Sequence, residues 1–373
     1  MVFGTNTELS GDYQVYGVPA AQGLDEAAKD INAAGGVKVG DQTCEFVAVN
    51  VDNKSDPAEV LTASQKVVDA KALAALGPDF SGDVAYETWK KAGIIDWVTS
   101  SDMIERLRTD PENSPLMLSL LAFQDLQHIA YMAQAKASAP DIKTVAMLLP
   151  NGAVTDAWVD DYTKGAEANG MQVVNTTLFP PDTQDYSTFL TKVAASKPDL
   201  LIVGTSAEQS TGIMSQAVPM NVAKYYMSET ASAESVEALP ELASATVFLP
   251  AFAPTFSASA TLPTDDVTAI FPDGKAPLVA AAAIVLYYAA WLTKQAVETA
   301  GSTDPQAVMD ALVGSSYDGP FGTCSITEEK YMSCPTVFTV LKGGDVTVFQ
   351  FAGPFETAPM AVFDCADATC KER

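Results

Sequence analysis

"MVFGTNTELSGDYQVYGVPAAQGLDEAAKDINAAGG", residues 1–36, decides how the rest of the chain is read. It opens on a short apolar strand, "MVFGTN". The overlapping stretch 4–17 holds three glycines, two tyrosines and four Ser, Thr or Asn residues, the composition of a loop. Beyond it Ala20, Leu24, Ala27, Ala28 and Ile31 recur on one helical face, and Gly35 and Gly36 stop the helix. A strand that hands a polar loop to a helix is the first half of a parallel β-α-β unit.

The rhythm continues outward. "CEFVAVNVDN" alternates as a strand, Phe46, Ala48 and Asn50 on one side and Val47, Val49 and Val51 on the other. "SDPAEVLTASQKVVDA" follows as a helix, with Ser55 or Asp56 as N-cap and Pro57 in the first turn. "ALAALGPDFSG" and "IIDWVTSS" are strands running into polar turns, with the helix "SGDVAYETWKKAG" between them. The pattern then restarts: strands "TVAMLLPNG", "MQVVNTTLFP", "DLLIVGTS" and "KYYMSET" alternate with helices "AWVDDYTKGAEANG", "YSTFLTKVAASKP" and "AEQSTGIMSQAVPM". The sequence therefore predicts an α/β chain with two open, mostly parallel sheets. "ATVFLPAFAP" adds a strand, "DPQAVMDALVG" a helix, and "PTVFTVLKGGDVTVFQF" an antiparallel hairpin turned at Gly343 and Gly344.

Composition narrows the partners. The chain has 373 residues, 48% hydrophobic, with 21 Lys+Arg against 47 Asp+Glu and a formal charge of −26. Such a surface repels nucleic acid and anionic membranes. Arginine occurs only at 106, 108 and 373, so a site gripping anions through bidentate Arg is not expected. The apolar run 278–292, "LVAAAAIVLYYAAWL", is too short for a membrane span and reads as a buried helix. Cys324 with Cys334 and Cys365 with Cys370 form two close pairs suited to local disulfides in an exported protein; Cys44 reads as a buried thiol on a strand. The chain starts directly on a strand-like stretch, so an export signal is expected to have been removed.

Catalytic signatures are absent. There is no GxGxxG after a strand, no GxxxxGK(S/T) and no GxSxG. The sole histidine, His128, lies in a helical stretch without a nucleophile beside it and is expected at the helix surface or end. No CxxC or second histidine supports a metal. No cofactor and no catalytic residue are expected. In open parallel sheets ligands bind beyond the carboxyl ends of the strands. The loops there, "TELSGDYQVY", "GPDFSGD", "TSSDM", "LPNGAVTD", "GTSAEQS" and "SETAS", are all rich in hydroxyls, acids, amides or glycine.

The ordered set "LSGDYQVYG", "GLDEAAKDINAAGGV", "VNVDNKSDPAEVLTASQKVV" and "LGPDFSG" resembles the Leu/Ile/Val-binding group of type I periplasmic binding proteins, the solute receptors of ABC importers. "QDYSTFLTKVAASKPDLLIVG", "YDGPFG" and the tail hairpin fit as well, so the resemblance spans essentially the whole chain. It implies two Rossmann-like lobes, 1–119 plus 252–323 and 120–251 plus 324–373, with three crossovers near 118–121, 249–252 and 323–325. It implies a monomer, periplasmic or at the cell surface, lipid anchoring being an open alternative. Its partners are a small ligand trapped by lobe closure and the permease subunits of an importer.

The resemblance also assigns residues. Tyr16 is the tyrosine of the first loop, with Ser10 and Tyr13 nearby. Ser81 follows the third strand beside Phe80, and Ser100 and Ser101 form the hydroxyl turn after the fourth. In amino-acid receptors these groups hold an α-carboxylate at helix N-termini. Glu229 takes the place of the acid that pairs with the ligand ammonium; Ser206 and Glu208 follow the preceding strand. Three departures stand out: Asp102 and Met103 in "TSSDM", Ser206 in place of a tyrosine, and Asn151 or Trp158 in a loop that lacks its usual tyrosine. An aromatic acid, an amide or a urea-like compound stays open as ligand, as does a sensor of the same fold.

Overall fold

The computed structural model describes the chain except residues 153, 154, 205, 232–235, 237, 252–279, 320, 321, 335, 343, 344, 353–358, 367, 368 and 373. In chain order the first segment runs β1 (Val2–Thr7), α1 (Gln14–Ala33), β2 (Val37–Val39), β3 (Gln42–Cys44), β4 (Val47–Asp52), α2 (Val60–Asp69), β5 (Ala74–Leu76), α3 (Gly82–Ala92), β6 (Ile95–Val98), α4 (Ser101–Thr109) and β7 (Met117–Ser119). The middle runs α5 (Gln124–Ser138), β8 (Thr144–Pro150), α6 (Thr155–Ala168), β9 (Gln172–Phe179), α7 (Ser187–Ala195), β10 (Leu200–Val203), α8 (Ala207–Ala217), β11 (Tyr225–Met227) and β12 (Thr246–Ala251). The last part holds α9 (Ala280–Ala300), α10 (Pro305–Leu312), β13 (Ser316–Gly319), β14 (Gly322–Ile326), β15 (Met332–Ser333), β16 (Thr336–Lys342), β17 (Asp345–Ala352), β18 (Pro359–Ala366) and β19 (Thr369–Glu372). The chain forms two units, Met1–Phe123 with Val279–Cys334, and Gln124–Leu278 with Pro335–Arg373.

The first unit is built on a five-stranded sheet in the order β4-β1-β5-β6-β7, every pair parallel. Val51, Val60, Val67, Ala75 and Trp89 form part of its core, and the Trp89 indole donates to the Ser64 carbonyl at 3.1 Å. From Ala280 on, the apolar run expected as a buried helix lies in α9: Ile284, Leu286 and Leu292 are fully buried, each worth about 1.5–3 kcal/mol; residues 278 and 279 lie outside the described residues. α9 packs on α1. Gly23 of α1 makes that approach feasible, because a Cβ there would lie 2.1 Å from the Ala283 carbonyl oxygen. No described helix is long and apolar enough to cross a membrane.

The second unit holds a nine-stranded sheet, β19-β18-β17-β16-β12-β11-β10-β8-β9. The strands from β9 to β12 pair in parallel; β12 and β16 through β19 pair antiparallel. Alternation puts a core on each face. Leu148, Leu201 and Val203 join Ile213 and Tyr226 in one cluster, while Val145, Met147, Leu149, Leu200 and Ile202 join Met132 and Tyr162 in the other.

Several local expectations change. α2 starts at Val60, because Asp56 caps the turn before it, accepting from the Ala58 N–H at 2.9 Å. "TSSDM" opens helix α4 rather than ending as a turn. Cys44 sits at the end of a short hairpin, β2–β3, and is half-buried rather than buried. α10 has a strong start: the Asp304 side chain accepts from the Ala307 N–H at 2.9 Å, and Pro305 opens the helix. Cys324 and Cys334 form a disulfide. Cys365 and Cys370 face one another in the β18–β19 register; their side chains, like Phe252, Gly343 and Gly344, lie outside the described residues.

Candidate functional site

In the first unit, the loops that follow β1, β4, β5 and β6 meet through hydrogen bonds. Asp52 pins the opening loop. Its Oδ1 accepts from the backbone N–H groups of Leu9 (3.0 Å), Ser10 (3.2 Å) and Lys54 (2.7 Å), and its Oδ2 accepts from the Ser10 hydroxyl at 2.7 Å. Ser55 adds a second tie, donating to the Ser10 carbonyl (2.7 Å) and accepting from the Tyr13 N–H (3.1 Å). Burial works against the Asp52 charge, but the bonds from Ser10, Lys54 and Leu9 outweigh it and lower the pKa.

Glu8, directly after β1, is fully buried. Its Oε1 accepts from Asn53 Nδ2 (3.0 Å) and the Asp79 N–H (3.3 Å), and its Oε2 accepts from the Thr7 hydroxyl (3.1 Å). Burial raises its pKa, the Asp79 charge adds to this, and the Asn53 and Thr7 bonds oppose it. Asp79, in the loop after β5, accepts from the Thr99 hydroxyl at 2.6 Å. Solvent reaches Asp79, yet desolvation still raises its carboxyl against that hydrogen bond. These two acids are prominent in the geometry, and composition could not single them out in a chain so rich in carboxylates.

The residues assigned from the sequence fall around this network. Tyr13 and Tyr16 are each 49% exposed at the start of α1. The Tyr13 ring centroid lies 5.7 Å from that of Phe80, so these two are brought together. Ser81 caps α3 in the left-handed region, φ 52°, with no capping bond from its side chain. Ser100 caps α4; its buried hydroxyl meets no partner among the described residues. Ser101 and Asp102 are exposed in the first turn of α4.

In the second unit, the turn after β11 carries Glu229. Ser228 fixes that turn by accepting from the N–H groups of Thr230 (3.2 Å) and Ala231 (3.0 Å). The Glu229 side chain is 12% exposed. Its Oε1 meets two groups: His128 Nε2 at 3.1 Å and the Tyr162 hydroxyl at 3.2 Å. No donor meets Oε2 among the described residues. His128 and Tyr162 stack with centroids 4.1 Å apart and planes 15° from parallel, and Trp158 stands edge-on to His128 at 5.0 Å. Burial and then the Glu229 charge push the Tyr131 and Tyr162 phenols well above their ordinary range, so both stay protonated donors.

Three other assigned residues make no hydrogen bond to this cluster among the described residues. Asn151 is exposed, and its N–H donates to the Phe179 carbonyl at 2.7 Å. Ser206 caps α8, accepting from the Gln209 N–H at 3.3 Å, and Glu208 is exposed in the same first turn. The expectation that His128 lies at a helix surface or end is corrected: it is fully buried in α5, held by aromatic stacking and Glu229. His128, Asp161 and Tyr162 were missed as functional candidates. Their signal was the i, i+3, i+4 spacing of Trp158, Asp161 and Tyr162, which puts an acid and two aromatic rings on neighbouring positions of one helix.

Two α/β units with strand-end loops of this kind make up the fold of type I periplasmic binding proteins. The chain belongs to the periplasmic binding protein family, whose model it matches over residues 2–345. Among solved structures it is similar to the branched-chain amino acid transporter substrate binding protein LivJ of Streptococcus pneumoniae in complex with isoleucine. The identity is 20%, with 95% of this chain and 99% of that one covered and a TM-score of 0.70. A branched chain amino acid ABC transporter periplasmic ligand-binding protein of Burkholderia xenovorans shares 18% identity over 96% of each chain, TM-score 0.77. A solute binding protein of R. palustris in complex with benzoate shares 18%, covering 98% of this chain and 97% of that one, TM-score 0.67. No curated protein matches the sequence.

Proposed function

We propose that the protein is an exported receptor that captures a small polar ligand bearing an amine, an amino acid or a related compound, and delivers it to an ABC importer. Capture is by closure of two lobes, with binding free energy favouring the closed form that permease subunits recognise. The receptor acts as a monomer and performs no chemistry. Tyr16, Ser81, Ser100 and Ser101 hold the polar end of the ligand at helix N-termini.

The observation that carries this reading is the division of labour within Glu229. Oε1 is engaged by His128 and Tyr162, while Oε2 is left to accept from a ligand ammonium. An amide or urea-like ligand is the second reading, favoured by Asp79: beside the Tyr13–Phe80 ring pair, its carboxyl would accept from an N–H and would repel a carboxylate.

The test is a thermal-shift screen followed by calorimetry, with L-isoleucine, L-leucine, benzoate, acetamide and urea as probes. A true ligand at a hundred times its Kd stabilises by about 2.7 kcal/mol. Stabilisation by an amino acid, recovered unchanged after incubation, is the expected result. Response to acetamide or urea alone selects the second reading, and a chemically altered probe sinks the non-enzymatic one.

A further inference from the structure

The sole histidine of the chain is spent between two carboxylates. His128 Nε2 lies 3.1 Å from Glu229 Oε1, and Nδ1 lies 4.0 Å from Asp161 Oδ2. An ionised carboxylate only accepts, so Nε2 carries the proton toward Glu229; this tautomer is assigned from the bonding partner. Nδ1 then carries either a lone pair or, in the imidazolium, a second proton facing Asp161. The ring itself is held by Tyr162 stacked on its face and Trp158 against its edge.

The groups around the ring come from each element packed on it. The turn after β11 supplies Glu229. α6 supplies Asp161 and Tyr162, with Lys164 3.8 Å from Asp161. α5 itself supplies Tyr131, 6.2 Å away between centroids. β16 presents buried Phe338 and Val340. Its one charge, Lys342, pairs with Thr246, which is opposite Tyr225 at the start of β11 and so at the far end of the sheet from Glu229.

We propose that His128 is a positioning residue for Glu229 and that it couples amine binding to proton release; this rests on the reading of Glu229 as an amine partner. With His128 protonated, the imidazolium offsets the Glu229 charge and repels a cation arriving at Oε2. With His128 neutral, the Nε2–H still holds Oε1 in place and the full carboxylate charge meets the cation. Amine affinity therefore rises with pH, by at most about tenfold per pH unit for one released proton. An anionic ligand would show the opposite slope.

The probe is methylammonium chloride, compared with sodium chloride at equal ionic strength. Binding is read as a rise in Tm from pH 5.5 to 8, on protein freed of any histidine tag. Wild type is expected to show a rise that grows with pH. His128→Gln keeps a donor toward Glu229 and is expected to retain the rise with a flat pH profile, whereas His128→Leu loses it. Identical pH profiles in wild type and His128→Gln overturn the proposal. The second measurement needs no ligand and only conservative variants: the nitrogen resonances of the single imidazole in wild type, Glu229→Gln and Asp161→Asn. Both variants are expected to shift them, and unchanged spectra overturn the proposal. If methylammonium gives no rise in wild type at any pH while Glu229→Gln still shifts the imidazole, the amine reading of the site falls and the His128–Glu229 linkage stands.

Discussion

The Ser10 hydroxyl donates to Asp52 Oδ2 at 2.7 Å, and this bond is one of three by which a single carboxylate ties the first loop to the end of the second long strand, a fourth holding its own loop at Lys54. Asp52→Ala leaves the N–H groups of Ser10 and Lys54 without their acceptor and the Leu9 N–H with the Thr7 carbonyl alone, at 3.2 Å. Because Asp52 is partly solvated, water replaces some of these bonds, and the expected cost is about 1–2 kcal/mol in urea denaturation. The pKa of Asp52 is lowered in the fold. Its contribution is therefore present above the unfolded value near 3.8 and is lost as pH falls through the lower folded value. The stability gap between wild type and Asp52→Ala should close below about pH 4; a gap that persists in acid would contradict this.

Much of this loop's placement was legible in advance, because strand, polar loop and helix follow one another in residues 1–36. Its internal logic was not. Asp52 lies 42 residues from Ser10 in the chain, and nothing local marks that pairing. The same holds for Glu229 and His128, which are 101 residues apart. Parallel strands bring distant loops together, so fold class can be read from period while side-chain partners cannot. Asp79 and Glu8 were hidden for a different reason: among 47 acids, only burial and donors distinguish them.

Glu229→Gln tests the amine partner directly. The amide keeps the size of the side chain but removes its charge. For an amine-bearing ligand found in the screen, affinity should fall by about 1.5–3 kcal/mol, the scale of a charge-assisted hydrogen bond. Affinity unchanged in calorimetry would remove Glu229 from the site.

Ser81 holds a left-handed backbone, φ 52° and ψ 36°, at the start of α3. A non-glycine residue pays about 1–2 kcal/mol for that conformation. Ser81→Gly relieves the strain but deletes the hydroxyl proposed to face the ligand. The expected result is a higher Tm together with weaker ligand binding. Equal affinity in the glycine variant would assign Ser81 to loop geometry alone.

Gly165 on α6 faces α5 where a Cβ would lie 2.9 Å from Met132 Cγ, 3.0 Å from Ile129 Cα and 3.2 Å from the His128 carbonyl oxygen. Two of these atoms are backbone, so the helices have to separate to admit a methyl group. Gly165→Ala should cost about 1–3 kcal/mol, as overpacking does. It should also lift Tyr162 away from His128, weakening both the stack and the Glu229 clamp. Loss of stability with no change in the imidazole resonances would show that the helix pair yields elsewhere.

Asp96 sits fully buried in β6 between Ile95 and Trp97, and neither carboxyl oxygen has a hydrogen-bond partner among the described residues. Burial raises its pKa well above the ordinary value, with Arg106 opposing only in part. A group raised in the fold favours folding below its unfolded pKa, and that contribution is lost as pH rises through the folded value. Wild type should therefore lose stability at this site as pH rises above about 4, the ordinary value of an unfolded Asp. Asp96→Asn cannot ionise and escapes the loss. The Tm of the variant relative to wild type is expected to climb as pH rises from 4 to 7. A difference independent of pH would mean that the fold does not raise the Asp96 carboxyl above its unfolded value.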